Sequence, residues 1–583
     1  MRGAEAHTIV ARVEPRRRWL WASAALILLA YVGAFALLPQ DGFWVCDDGA
    51  KFIQVQGLLR SHYRDYAVDW PGQACDPTFR CSPLHAPFGR VADGRLYVAF
   101  PPFFALISSF PFRFFGYAGL CVLPLAAGLA TLWTVWRLAG RLEAPSEARP
   151  LAVLLVGLGT PLWFYSLTFW EHTPATALVM GSVLLLVRQR TQPSGLGPAT
   201  AGVCCGTATW FREDAAVFGV GLVCVILLYH RHRWRDAGLF VAAVALTWVP
   251  LGLFQWWALG HPLGHHVAPH DPFAAGLVAF GRDRWTVLLN LLVKVHETLR
   301  LSWLISGLGL LAWAVNPRVP ARAFRWLVPV LAGLAAVGAV TIGVGYLRAR
   351  SPVWWMMDSN GFFAASTVLC LAFVRVKSAS RTTGSGERGA PRGTVEHLLW
   401  ALATIWTALY VLIAPPHITE GIHWACRYLL PVYPLLGVLA AGTVARWWQG
   451  AGPAHLSRVV VVSALGLAVA AQVYALDLLR CRREFVRELN HVVAQRPEQI
   501  VITDVWHVPM DLSPNFHAKV MFVPNSPHDA LQLTRDLYAA GHRHALLIRR
   551  RDPRLALPPN SLLLDDPALN FSPLVLTTVA LVP

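Results

Sequence analysis

Residues 13–51 read VEPRRRWLWASAALILLAYVGAFALLPQDGFWVCDDGAK, and their order decides what kind of molecule this is. Three arginines, Arg16 to Arg18, precede an apolar stretch from Trp19 to Pro39, long enough for one bilayer crossing of about 20 residues. A basic flank marks the cytoplasmic end of a span, and no convincing small-residue cleavage site follows. The stretch therefore reads as a retained first helix that enters from the inside. Two adjacent carboxylates, Asp47 and Asp48, come next, at the depth where lipid gives way to water.

The pattern repeats along the chain. Of 583 residues, 55% are hydrophobic and only 14% are charged, a membrane-protein composition. Apolar stretches recur from Trp19 to Leu479 with short polar breaks. The net charge of +17 sits in short arginine clusters between those stretches, where it acts as a topology signal and argues against nucleic acid as a partner. No GxxxxGK[ST] pattern occurs, which argues against an ATP-driven pump.

With the arginine clusters placed inside, residues 40–117 form a first outer loop. Its last part, RLYVAFPPFFALISSFPFRFFG (95–116), is interrupted by Pro101, Pro102 and Pro111 and reads as a juxtamembrane helix lying on or dipping into the bilayer. Within the same loop, DWPGQACDPTFRCSP (69–83) carries Cys75 and Cys81, which an oxidising compartment would allow to form a local disulfide. Spans follow over 117–142, 150–169 and 174–187. Residues 199–229 are too long for one helix if WFRED (210–214) is to stay out of lipid, where ionised groups are costly, so two short spans meet at that outer turn. A span over 237–258 and others near 301–315, 324–346, 358–375, 397–414, 428–446 and 458–478 bring the total to about thirteen.

The expected fold is thus an all-α polytopic membrane protein with a small C-terminal α/β domain. Residues 1–18 are a cytoplasmic basic segment, 19–479 the transmembrane domain, 377–396 a flexible cytoplasmic linker and 480–583 an outer α/β domain. In the last, QIVITDVW, AKVMFV, HALLIRR and PLVLTTVAL read as strands around a helical DALQLTRDLYAAG.

In this topology the ionisable residues that are not topology signals gather on the outer face. They are Asp47, Asp48, Lys51, Glu171, His172, Arg212, Glu213, Asp214, His261, His265, His266, Glu420, His423 and Arg427. Charges at the membrane edge are functional candidates by default, and each also has a structural reading. Asp47 and Asp48 suit a helix start before AKFIQVQGLLR. Arg212 suits an internal ion pair with Glu213 or Asp214. Arg427 suits an interfacial side chain snorkelling beside Trp424 and Tyr428. Glu171 and His172 suit either a span terminus or an acid/base or metal pair. In GHPLGHHVAPHD (260–271), His261, His265, His266, His270 and Asp271 invite zinc, but Pro262, Gly264 and Pro269 forbid a regular helix and no HExxH is present.

A transferase that takes a sugar from a lipid-borne phosphate needs three things at this depth. It needs a carboxylate to deprotonate the acceptor, basic side chains to hold the leaving phosphate, and a lipid-facing groove. Asp47 and Asp48 are the candidate base and its partner. Arg212 and Arg427 are the candidate phosphate holders, with Lys51, Glu171, His172, Glu213, Asp214, His423 and Tyr428 as further substrate or metal contacts.

The acidic pair after the first span (CDDGAKF), the Pro-Pro helix (AFPPFFALISSFPFRFFG), the following span ending in WRLAGRL, the hairpin GTATWFREDAAVF and the late HWACRYLLPVYPLLG together resemble the integral-membrane glycosyltransferases of the GT-C fold. That family includes protein O-mannosyltransferases and lipid A aminoarabinose transferases. The resemblance covers roughly residues 19–480. It implies a polyprenyl-phosphate-sugar donor, a first-loop base at Asp47 with Asp48 beside it, and a donor-phosphate contact at Arg212. It also implies a multi-pass protein of the bacterial inner membrane working on the periplasmic side, with a cell-envelope glycan or lipid as acceptor. The family's pair is often Asp-Glu rather than Asp-Asp, so which carboxylate is the base stays open, as does a divalent ion, since metal-assisted and metal-free members exist. The luminal repeat domains of protein mannosyltransferases are absent, which disfavours a protein acceptor.

Three rival readings fit parts of the sequence. A lipid-linked-sugar transporter or flippase should carry charges near the midplane and internal repeats. An O-antigen-ligase-like transferase with a pyrophosphate donor would depend on Arg427 and His423 and not on Asp47 or Asp48. A membrane scaffold binding partners through its outer domain would survive loss of both carboxylates.

Overall fold

The computed structural model describes residues 2–260, 262, 277–292, 361–373, 394–414, 423–449, 454–550, 561–563, 569–571 and 573–582. The expected spans near 301–315 and 324–346, the ends of the one near 358–375, most of the 377–396 linker, and His261, His265, His266, His270, Asp271 and Glu420 lie outside those residues.

The bundle is built from α1 (Arg2–Leu37), α4 (Val122–Ala139), α5 (Ala148–Gly159), α6 (His172–Thr191), α7 (Gly197–Phe211), α8 (Ala216–Tyr229), α9 (Arg233–Leu259), α10 (Leu277–Leu292), α11 (Val395–Ile413), α12 (Val432–Gln449) and α13 (Ala454–Gln495). Four stretches among the described residues are long and apolar enough to cross a membrane: Tyr117–Ala139, Arg233–Ala258, Val395–Ile413 and Val461–Gln495. The protein is an integral membrane protein. Helices α2 (Cys46–Arg60) and α3 (Pro102–Phe115) lie between α1 and α4 in the chain.

Local sequence explains the breaks. The stretch read as one span over 150–169 is two helices, because Pro161 drives Thr160 into extended backbone and itself opens the short helix Leu162–Ser166. Thr160 Oγ1 donates to the Val156 carbonyl at 2.6 Å, satisfying an acceptor left over at the end of α5. The WFRED segment does separate two helices, α7 and α8, through a single 3-10 turn, Glu213–Ala215. Helix α3 starts at the second residue of Pro101-Pro102, where the missing amide costs nothing. Its Ile107, Phe110, Phe114 and Phe115 are exposed, an apolar face suited to lipid. The RLYV that precedes it is not helical. It is β2 (Arg95–Val98), paired antiparallel with β1 (Gly89–Ala92) across an Asp93-Gly94 turn whose two residues both have positive φ.

At the C-terminus β3 (Ile500–Thr503), β4 (Val520–Phe522) and β5 (His544–Arg550) are parallel. β8 (Leu574–Leu581) runs antiparallel to β5, to β6 (Ser561–Leu563) and to β7 (Leu569–Phe571), in the order β4-β3-β5-β8-β6. Helix α14 (Pro527–Ala539) links β4 to β5 and is capped by Ser526, whose Oγ accepts from the Asp529 amide at 3.1 Å.

The 40–117 loop and this sheet are not separate bodies. Ala50, Ile53, Trp70, Phe79, Leu84, Val98 and Phe100 share one buried core with Ile500, Ile502, Phe522, Leu533, Leu547 and Val579. Trp70 Nε1 donates to the Met521 carbonyl at 3.2 Å, the Val523 amide donates to the Cys81 carbonyl at 2.9 Å, and Asn525 donates to the Arg80 carbonyl at 3.0 Å. Segment 70–85 thereby covers the β4 edge, which would otherwise present open backbone groups. Cys75 and Cys81 are both free thiols, so the local disulfide is not formed. Cys81 is buried in the shared core, and burial pushes its thiol up to about 12. The boundary at 480 also falls inside a helix, because α13 continues unbroken to Gln495.

Candidate active site

The sequence DGFWVCDDGAK turns into a helix at Cys46. Val45 occupies the cap position and neither aspartate caps from its side chain. Both sit in the first turn of α2, where the helix dipole favours negative charge. Asp47 and Lys51 are four residues apart and so share a face of the helix.

The two carboxylates have different fates. Asp48 is fully buried, and its Oδ2 accepts from the Trp44 amide at 3.3 Å. Burial pushes its carboxyl up to about 8, with Asp47 and Glu171 adding to the rise while Lys51 and Arg483 oppose it. Asp47 keeps 16% of its side chain exposed, and Arg427 Nη1 donates to its Oδ2 at 3.4 Å. Arg427, at the start of a 3-10 turn before α12, also donates to the Tyr428 hydroxyl at 2.8 Å and lies 4.5 Å over the Trp170 ring. Such a face-on contact favours the cation at little cost in geometry.

Next to this pair lies a second cation. Arg212 Nε donates to Asp214 Oδ1 at 2.8 Å, its Nη1 donates to Glu171 Oε1 at 3.3 Å and lies against the His172 ring, and its guanidinium is 5.5 Å from the Tyr428 ring centre. Tyr410, on α11, donates its hydroxyl to Asp214 Oδ2. Glu171 in turn pairs with Lys51 at 2.6 Å, both nearly buried, and Lys51 Nζ sits 4.3 Å from the Phe100 ring centre. His423 meets the Tyr428 ring edge-on at 6.5 Å.

The fold thus gathers Asp47, Asp48, Lys51, Glu171, His172, Arg212, Asp214, His423, Arg427 and Tyr428 into one connected group. Glu213 is turned aside: Gln255 Nε2 of α9 donates to its Oε1 at 2.6 Å, and burial, with Asp214 beside it, pushes its carboxyl up to about 8. Among the described residues no three His, Cys, Asp or Glu side chains gather about a point suited to a metal ion. Sequence reasoning passed over Tyr410, Trp170 and Gln255, which sit in apolar helices or at their ends and carry no pattern to announce them.

The raised Asp48 carboxyl has a consequence for stability. In the unfolded chain the group titrates near 3.8, in the folded protein near 8. Between those values the folded state holds a proton that the unfolded state has released, so stability falls as pH rises through that window. Asp48→Asn keeps an acceptor for the Trp44 amide and removes the titration. Its melting temperature between pH 5 and 8 is expected to fall less steeply than that of the wild type; an unchanged slope would contradict the assignment.

Against known proteins, no family model matches the sequence and no curated protein matches it. Solved structures do. The structure of ArnT from Cupriavidus metallidurans bound to undecaprenyl phosphate is similar with a TM-score of 0.55 at 13% identity, over 96% of this chain and 98% of that one. The same protein in the apo state gives 0.52 at 14% identity, over 97% and 98%. Coverage this complete carries the likeness past residue 480 into the sheet unit. From its helical bundle to its C-terminal sheet, the chain has the GT-C fold of the integral-membrane glycosyltransferases.

Proposed function

We propose that this protein is an inverting glycosyltransferase that moves a sugar from a polyprenyl-phosphate-sugar donor to a glycan or lipid acceptor of the cell envelope. We place its site on the outer, periplasmic face of a bacterial inner membrane, beneath about thirteen spans oriented by their basic clusters. The observation that carries the reading is the meeting of Asp47 and Arg427 beside Arg212. A carboxylate of partial exposure and two guanidinium groups are thereby held together. The shared fold with ArnT, whose structure contains undecaprenyl phosphate, supports the donor class.

In this mechanism Asp47 is the base and Asp48 its buried support. Burial raises the Asp48 carboxyl while its Oδ2 holds the Trp44 amide, which leaves the more exposed Asp47 to take the proton. Asp47 removes the proton from the acceptor hydroxyl as that oxygen bonds to the anomeric carbon. The bond from that carbon to the phosphate oxygen breaks on the opposite side, and the phosphate leaves with the electron pair. Arg427 and Arg212 stabilise the charge that develops on it. Arg427 lies between its roles: its 3.4 Å contact with Asp47 is long for a charge-assisted bond, so an arriving phosphate competes for the guanidinium and frees Asp47 to act.

The test uses purified full-length protein, radiolabelled polyprenyl phosphate sugars carrying hexoses or pentoses, and envelope extract as acceptor. Release of polyprenyl phosphate from one donor is expected, as is a rise in melting temperature with undecaprenyl phosphate. No release from any donor together with no thermal shift at saturating lipid would sink the reading.

A further inference from the structure

A buried ion pair joins helix α13 and the C-terminal sheet unit to the residues that lead into α2. Helix α13 carries Arg482 and Arg483 beyond its apolar part, and both are almost fully buried. Arg482 Nη2 donates to both oxygens of Asp511 at 2.8 Å, while its Nε donates to the Trp44 carbonyl at 3.2 Å. The amide of the same Trp44 donates to Asp48. Asp511 is held in turn by His507 at 3.0 Å, and Asn490 Nδ2 donates to its carbonyl at 2.8 Å. Arg483 donates to the Pro39 carbonyl at 3.1 Å and to the Leu167 carbonyl at 2.6 Å. The residues leading into α2 are therefore gripped at Pro39 and at Trp44.

Two glycines let the parts close. A Cβ at Gly42 would lie 2.1 Å from the Arg483 carbonyl oxygen, and one at Gly49 would lie 1.9 Å from that of Met510. No side chain fits either contact. Gly49 follows the acidic pair directly, so the carbonyl of the residue before Asp511 rests on the helix turn that presents Asp47. Burial alone would raise the Asp511 carboxyl, but Arg482 and His507 outweigh it and hold it below its usual value, so the pair stays ionised.

A buried ion pair is a weak source of net stability, because desolvation offsets the attraction and apolar residues of the same volume often do as well. What apolar residues cannot do is send a third hydrogen bond from the same guanidinium to the Trp44 carbonyl. We infer that Arg482 and Asp511 are positioning residues that, by pinning Trp44, set where α2 begins and hence where Asp47 stands. This rests on the reading of Asp47 as the base.

Two variants of the full-length protein test it. Arg482→Lys keeps the charge and loses the fork, whereas the double variant Arg482→Met with Asp511→Leu removes the pair without leaving an orphan charge. In both, amide hydrogen exchange at residues 44–50 is expected to rise about 10-fold and turnover to fall about 10- to 100-fold, as a small misplacement of a reacting group does. The donor KM and undecaprenyl phosphate binding should stay within about 2-fold, since Arg212 and Arg427 are untouched. Unchanged exchange at 44–50 in both variants, or wild-type turnover in the apolar double variant, would overturn the inference. Full turnover in Asp47→Asn alongside raised exchange in these variants would instead remove the base assignment and with it the catalytic meaning of the clamp, leaving the clamp itself in place.

Discussion

Asp47→Asn is expected to lower turnover by about 10²- to 10⁴-fold, the range a general base contributes, while the protein binds undecaprenyl phosphate at least as tightly as before. The second half of that expectation follows from the geometry. Arg427 donates to Asp47 and lies over Trp170, and an amide in place of the carboxylate holds the guanidinium less strongly, leaving more of its charge for a phosphate. The change is nearly isosteric and Asp47 is partly exposed, so the cost of leaving Arg427 without a charged partner stays below that of a fully buried pair. A turnover assay with lipid-linked sugar and a thermal-shift titration with undecaprenyl phosphate read the two halves separately. Full turnover in Asp47→Asn would remove the base from the mechanism. If His423 and Arg427 variants were then inactive, the O-antigen-ligase-like alternative would take its place.

Arg427→Lys is the second large effect. Lysine keeps the charge but has no planar fork to reach the Tyr428 hydroxyl and a phosphate oxygen at once, and it is more strongly hydrated than guanidinium over an indole ring. Turnover is expected to fall about 10²- to 10³-fold, equivalent to about 2.7–4 kcal/mol of transition-state stabilisation for a lost preorganised donor. Because the charge on the leaving phosphate grows toward the transition state, the loss should appear mainly in kcat, with a smaller change in KM. Single-turnover kinetics with a saturating donor check this. An unchanged kcat with a raised KM would make Arg427 a ground-state binding residue only.

Asp47 and Arg427, which meet in this mechanism, are 380 positions apart in the chain. Each announced itself alone, as a charge beside an apolar run, because ionised groups near lipid are rare enough to need a reason. Their contact was not legible, since no local pattern encodes a partner at that distance. The same holds for Trp70, whose hydrogen-bond partner lies 451 positions away and whose burial joins the first loop to the sheet. Tyr410 was invisible for a different reason: a tyrosine in an apolar helix is ordinary until Asp214 is found beside it. Other signals were present and passed over. Asp93-Gly94 is a strong hairpin signal. Arg480, Arg482 and Arg483, at the end of a span placed outside, run against the positive-inside rule, and a buried partner such as Asp511 is what such an exception requires.

What the sequence determined by itself was what local periodicity and composition can carry. It set the helical character of the membrane part, the break at WFRED and the main strands and helix of the C-terminal unit, and it named charges such as Asp47, Arg212 and Arg427 that the fold brings together. What the tertiary structure alone decided was the difference between Asp47 and Asp48. Adjacent in sequence and alike in chemistry, they diverge because burial is a property of what packs around a residue. Asp48 is enclosed and raised to about 8, while Asp47 faces Arg427 from the other end of the chain.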